Sequence, residues 1–233
     1  MRRRPLGTHG CRRDFEVSVP FSIGQILRVW GEPTVSVPAS VDQIEKFSPD
    51  VPGFLVDVWQ EVGFSGFMDG LLWLCDPEAW QPAVDAWVSK LELPFGDDRW
   101  IAVTRSAFGE MSLWGRRTGM SLTVVPYSGW ILPFDGSGEM SSAFDRDNQV
   151  YSALAAANRE TLDLLGDDGK PLFGRVLAAL GPVGPETMYG FVPAPALGGA
   201  LLPENVEIVD AEVHMQILSQ VTPRTIMADN PYL

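Results

Sequence analysis

Apolar positions recur at two different periods along this chain of 233 residues, and the change from one to the other organises it. Over roughly the first ninety positions the period is helical. Residues 21–30 read as a short helix stopped by Gly31 and Pro33, and Ser40 stands as a cap before Val41, Ile44 and Phe47. Pro52 occupies a favourable first helical position. Behind it Leu55, Val58, Trp59 and Val62 fall at i, i+3, i+4 and i+7, with Asp57 and Glu61 on the opposite side and Gly63 as the stop. A strand over 71–75 follows a glycine-punctuated turn. Asp76 then caps a helix with Pro77 just inside and Trp80, Val84, Trp87 and Val88 on one face; Pro82 should kink that helix or delay its regular part.

From Arg99 the period shortens. Residues 100–104, 110–114, 122–125 and 130–132 are β-prone runs separated by turns at Gly109, 115–119 and Ser128-Gly129, the spacing of an antiparallel meander. A glycine- and serine-rich linker is expected over 135–146. Helical phase returns over 147–165, through Val150, Leu154, Ala157 and Leu164, with Gly166 as terminator. After a turn at Asp167-Asp168-Gly169, Pro171 opens a helix carrying Phe173, Val176, Leu177 and Leu180, ended by Gly181. The glycine- and proline-rich stretch 181–203 excludes regular helix. A strand over 206–209 precedes a last helix, capped by Asp210, whose apolar positions are Val213, His214, Ile217, Leu218 and Val221. Segregated helical and antiparallel blocks predict an α+β protein: N-terminal helices with a β-meander over 15–134, then a mainly helical domain over 147–222, flanked by tails at 1–14 and 223–233.

Composition is that of a folded protein, with 45% hydrophobic and 20% charged residues. No apolar run approaches the ~20 residues that span a bilayer. The basic start leads into no apolar signal region, so a cytoplasmic location is expected. Charge adds more. The formal net charge is −13, and five arginines (Arg2, Arg3, Arg4, Arg12, Arg13) lie among the first 13 residues. Without them 12 basic residues face 30 acidic ones, a balance of −18. Such a field disfavours nucleic acid and favours a cationic partner, although acidity for solubility alone is equally common.

Catalytic signatures are missing from the pattern. Of the two histidines, His9 lies in the tail and His214 shares an apolar helical stripe, the setting of a packed, hydrogen-bonded side chain. There is no GxSxG, HExxH, Walker loop or GxGxxG. Cys11 and Cys75 supply neither a disulfide framework nor a metal-ligand spacing, and Cys75 follows an apolar strand. Asp97-Asp98, Asp145 with Asp147, and Asp167-Asp168 resemble metal pairs superficially, but adjacent acids in turns more often cap or face solvent. No cofactor is called for.

Several motifs carry a family likeness. GFSGFMDGLLWLCDPEAW (63–80), TRSAFGEMSLWG (104–115) and the proline-led helix with Trp59 resemble the GAD-like domain, named for similarity to an insert domain of tRNA-handling enzymes, over about 15–133. KPLF (170–173), Leu180-Gly181, YGFVPAPALGG (189–199) and the helix around His214 resemble the C-terminal domain of immunity proteins that neutralise nuclease toxins delivered by bacterial type VI secretion. In that family the two domains occur in this order and protect against DNase-type toxins. The resemblance implies a non-enzymatic protein whose partner is a cognate nuclease effector. The aromatic residues that carry the likeness, Phe67, Tyr189 and Phe191, and Asp69 beside them, are expected to serve the fold. For the contact itself, charge nominates the acids of the C-terminal half: Asp145, Asp147, Asp163, Asp167, Asp168 and Glu212. An alternative from another class is a regulatory or small-molecule-sensing module of the SMI type, its pocket lined by aromatic residues.

Overall fold

Seven strands form a mostly antiparallel sheet whose third member is buried along its whole length, so the sheet must be covered on both faces. A computed structural model describes residues 21–227. The basic tail, with His9 and Cys11, and the last six residues lie outside the described residues. The sheet runs β1 (Gly66–Phe67), β2 (Leu72–Leu74), β3 (Trp100–Ser106), β4 (Met111–Gly115), β5 (Gly119–Val125), β6 (Trp130–Pro133) and, parallel at the edge, β9 (Thr225–Ile226). The expected meander is β3 to β6, and every pair in it is antiparallel.

Alternation along β3 explains the two covered faces. Ile101 and Val103 point into a core shared with α1 (Ile23–Trp30), α2 (Val41–Phe47), α3 (Gly53–Val62), α5 (Ala143–Ala156) and α7 (Phe173–Leu180). Trp100 and Ala102 point into the opposite core, filled by α4 (Pro77–Val88) and α8 (Ala211–Val221). A short hairpin, β7 (Thr187–Phe191) with β8 (Val206–Asp210), bridges the two: Tyr189 and Phe191 enter the first core and Met188 the second. Side chains from both halves of the sequence therefore fill each core. The segment 223–227, expected as a tail, includes β9 and adds to the sheet beside β6.

Caps placed from the sequence are present. Ser40 and Gln43 form a reciprocal capping box on α2, Asp76 accepts from the Glu78 N–H, and Asp210 accepts from the Val213 N–H. Helix α4 runs continuously through Pro82. Three readings change. The helix expected over 147–165 starts earlier, at Ala143 inside the expected linker, and breaks after Ala156. Asn158 accepts from the Glu160 and Thr161 N–H groups and starts α6 (Arg159–Leu162), so the local cap outcompetes the alanine-rich continuation and Gly166 terminates nothing. The stretch 181–203 holds no α-helix after α7 ends, as expected, but it includes strand β7, which the sequence did not place. And α8 buries Ala211, Met215 and Leu218, leaving Val213, Ile217 and Val221 54%, 51% and 50% exposed. The helix is rotated because the small Ala211 and flexible Met215 fit between α4 and the sheet, where β-branched side chains would crowd.

Candidate partner-binding surface

The six nominated acids do not share a face. Asp145 closes a capping box on α5, with Oδ2 accepting from the Ser141 hydroxyl at 2.6 Å and the Ser142 N–H at 3.0 Å; those bonds hold its carboxyl below the usual range. Asp147 accepts from the Phe54 N–H at 2.9 Å and so ties α5 to the start of α3. Asp163 accepts from Leu172 and Phe173 N–H at 3.1 and 2.7 Å, holding the start of α7. Asp167 accepts from the Leu201 N–H at 3.0 Å. Asp168 accepts from the Lys170 N–H and pairs with Arg175 at 2.7 Å, and its carboxyl is lowered by the backbone bond first and the guanidinium second. Each of these five has internal work. Asp163→Ala should cost about 1–2 kcal/mol, the usual loss for a helix cap, measured by urea denaturation.

Glu212 differs. Its side chain accepts from Gln216 one turn along α8, and it lines a cleft of about 230 Å³ with Trp80, Ala83, Glu186 and Asp210. A contiguous hollow of about 240 Å³ shares Trp80, Pro185 and Glu186 and reaches inward to Trp73 and Arg105. This composite cleft opens where α4 meets the turn before β7 and the first turn of α8. Among the described residues no lysine and no exposed arginine lines it.

Arg105, which sequence reasoning passed over, builds the cleft. It is 1% exposed, yet no carboxylate among the described residues pairs with it. The guanidinium lies between the Trp73 and Trp80 rings, 4.9 and 5.0 Å from their centroids, and donates to the carbonyls of Gly184, Pro185 and Thr187. Burial lowers its pKa to about 10, so it stays charged at neutral pH. The turn it grips carries Glu186, whose carbonyl accepts from the Ala211 N–H and fixes the start of α8. A lone arginine in an apolar strand has no local pattern to betray this role.

On its outward side α8 displays Val213, Ile217 and Val221, one turn apart. Towards the hairpin, His214 packs over Gly190, where a β-carbon would sit 2.8 Å from Nε2. Its Nε2 is enclosed without a partner, unlike the hydrogen-bonded histidine expected, and burial lowers its pKa. Cys75 is fully buried, and desolvation pushes its thiol up to about 12. Phe67, Tyr189 and Phe191 are core residues, and Asp69 pairs with Arg159 at the surface. Among the described residues no group of three or more His, Cys, Asp or Glu side chains is arranged to hold a metal, and no helix is long and apolar enough to cross a membrane.

Residues 22–127 match the model of the GAD-like domain, the segment of the proline-led helix and most of the meander. Residues 149–222, which supply the hairpin and α8, match the model of the C-terminal domain of the type VI secretion immunity protein Tdi1. The chain thus has the makeup of a two-domain type VI secretion immunity protein. The match supports an immunity role, and an immunity domain implies a cognate effector as partner and points to a non-catalytic protein. The fold is shared with the crystal structure of Atu4351 from Agrobacterium tumefaciens, at a TM-score of 0.77 and 24% identity over 89% of this chain and 93% of that one. A search of curated proteins gives no match. Seen beside these matches, the composite cleft lies where the two matched segments meet.

Proposed function

We propose that this chain is an immunity protein that binds and neutralises a cognate nuclease toxin of type VI secretion, protecting the producing cell and its siblings by stoichiometric docking. The match of residues 149–222 to the Tdi1 C-terminal domain carries the reading. The acid excess agrees with it, since a nuclease presents cationic surface for phosphate, and complementary charge speeds encounter and selects partners. Charge alone does not hold a complex. Tight binding needs a buried apolar centre with a polar rim, and α8 offers that combination: Val213, Ile217 and Val221 outward, Glu212 and the acidic cleft alongside. Of the six nominated acids, Glu212 is the one placed on this surface. The others would reach a partner only in addition to their internal bonds.

The test is co-expression of the toxic domain of the effector encoded with this chain, with and without it, followed by gel filtration. Survival together with a co-eluting stoichiometric complex is the expected result. Survival without a complex, or no survival, would overturn the reading. Ile217→Asp should break the complex while leaving the melting temperature of the free protein within a few degrees, because the side chain is half exposed.

A further inference from the structure

Strands β7 and β8 form a sheet of two, so each has an outer edge that the other does not serve. At one end of the ladder the Val192 N–H donates to the Asn205 carbonyl at 2.8 Å; at the other the Ala211 N–H donates to the Glu186 carbonyl at 2.9 Å. The register between them is unbroken. In an antiparallel pair the main-chain groups of successive residues alternate between facing the partner strand and facing away. Glu207 and Val209 therefore bond to β7, while Val206, Ile208 and Asp210 turn outward. The facing strand obeys the same parity: Tyr189, directly across from Ile208, turns away from β8 and donates its N–H to Ala107 at 2.9 Å.

The outer edge of β7 is thus tied to the body of the protein, and that of β8 is not. Among the described residues no hydrogen bond reaches the Ile208 N–H, the Ile208 carbonyl or the Asp210 N–H. The edge is also reachable. Val206 closes its near end at 4% exposure, but Ile208 is 42% exposed, although Tyr189 on the same face is buried; Glu207 and Asp210 are exposed. An open edge of this kind is a template for one more strand.

Charge decides which strand fits. Residues 204–212, ENVEIVDAE, hold four acids and no lysine or arginine, and none of the four makes an ion pair among the described residues. Pairing with a second copy would align four carboxylates from each chain with no cation between them, so self-pairing is opposed. A cationic strand meets the opposite balance. Alternation sets its pattern: the residue facing Ile208 meets an apolar side chain, and those facing Glu207 and Asp210 meet carboxylates. We infer that the outer edge of β8 takes up an extended basic segment of a partner protein as a third strand, hydrogen-bonded through the Ile208 main chain. This rests on the reading of the chain as a protein that docks onto another. Because β8 runs directly into α8, the added strand would lie on a surface continuous with Glu212.

The experiment uses the intact protein and the peptide acetyl-Thr-Lys-Thr-Val-Lys-Thr-amide, which places valine opposite Ile208 and a lysine opposite each of Glu207 and Asp210 when antiparallel. At saturating, millimolar peptide the Ile208 amide should exchange its hydrogen about tenfold more slowly, while the Val209 amide, already bonded to β7, should not change. Methylating the valine nitrogen, which removes the donor to the Ile208 carbonyl, should weaken binding at least tenfold, as should glutamate in place of both lysines. Ile208→Pro should also abolish binding, since proline is tolerated where a strand N–H faces outward; if that variant does not fold, the methylated peptide decides. Equal binding of the methylated peptide, or no protection of Ile208, would overturn the inference. So would an Ile208 amide as protected as Val209 before any peptide is added, or a dimer on gel filtration that Ile208→Pro dissolves. Co-expression with the effector separates this from the parent reading: survival without peptide binding sinks this edge alone, whereas loss of survival in the wild type sinks the immunity role.

Discussion

Arg105→Met should destabilise the protein by roughly 3–5 kcal/mol in urea denaturation at neutral pH, the largest loss expected for any single change outside the apolar core. The side chain is buried, sits between two indole rings and feeds three carbonyls of the turn before β7. Methionine restores the volume, but it leaves those carbonyls without the donor that now serves them. Replacing an ion by an apolar isostere is often neutral when its partner is removed too; here the partners are backbone and stay. Arg105→Lys should recover little, because an ammonium group cannot span three carbonyls and two ring planes as a planar fork does. The loss should also reach the start of α8 through the Glu186 carbonyl, so amide exchange at Ala211 should quicken in both variants. A cost below about 1 kcal/mol for Arg105→Met would show that the turn is held by something else.

Acidity should stabilise this protein over a window where most acidic proteins are indifferent. Glu110 is partly buried with its carboxyl enclosed, and desolvation pushes its pKa from 4.5 up to about 7; a 3.5 Å bond from the Tyr127 hydroxyl opposes the rise only in part. The folded state thus prefers the proton. Its contribution is complete below about pH 4.5 and is lost as pH rises towards 7, because across that window the native state binds more protons than the unfolded one. The full loss is on the order of 2–3 kcal/mol, reduced from the bare shift because part of the side chain meets solvent. Glu110→Gln should flatten this slope and raise the stability at pH 8 by a comparable amount. A wild-type profile that does not fall between pH 5 and 7.5 relative to the variant would contradict it.

What could be read from the chain was what short-range chemistry decides. Ser40, Asp76 and Asp210 announce their helices because a cap and the N–H groups it serves lie within three residues. The meander was legible because its turns fall at regular intervals between β-prone runs. The misses have a common cause in long-range packing. Strand β7 is five residues with a glycine inside and prolines on either side, so its β-prone Thr187, Tyr189 and Phe191 were masked; β8 pairs with it and the Tyr189 N–H donates to Ala107. The rotation of α8 is set by α4, more than a hundred residues earlier. Choosing contact residues by charge alone favoured acids at caps and turns, which is where local bonding already uses them; Glu212 escapes because it sits on a helix flank beside a cleft. Arg105 looked ordinary, since nothing nearby shows that it is an unpaired cation.

Strand β9 has a consequence for how such proteins can diversify. Because the chain returns from α8 to lie beside β6, with the Thr225 N–H donating to Gly129, the last turn of the sequence closes the margin of a sheet begun by the first half. A gene fusion that kept the amino-terminal half and borrowed a foreign carboxy-terminal half would uncover that margin unless the newcomer brought its own strand. Raw sheet margins invite self-association. Inheritance of both halves together, with new specificity arising by substitution on exposed helix flanks, follows from the architecture.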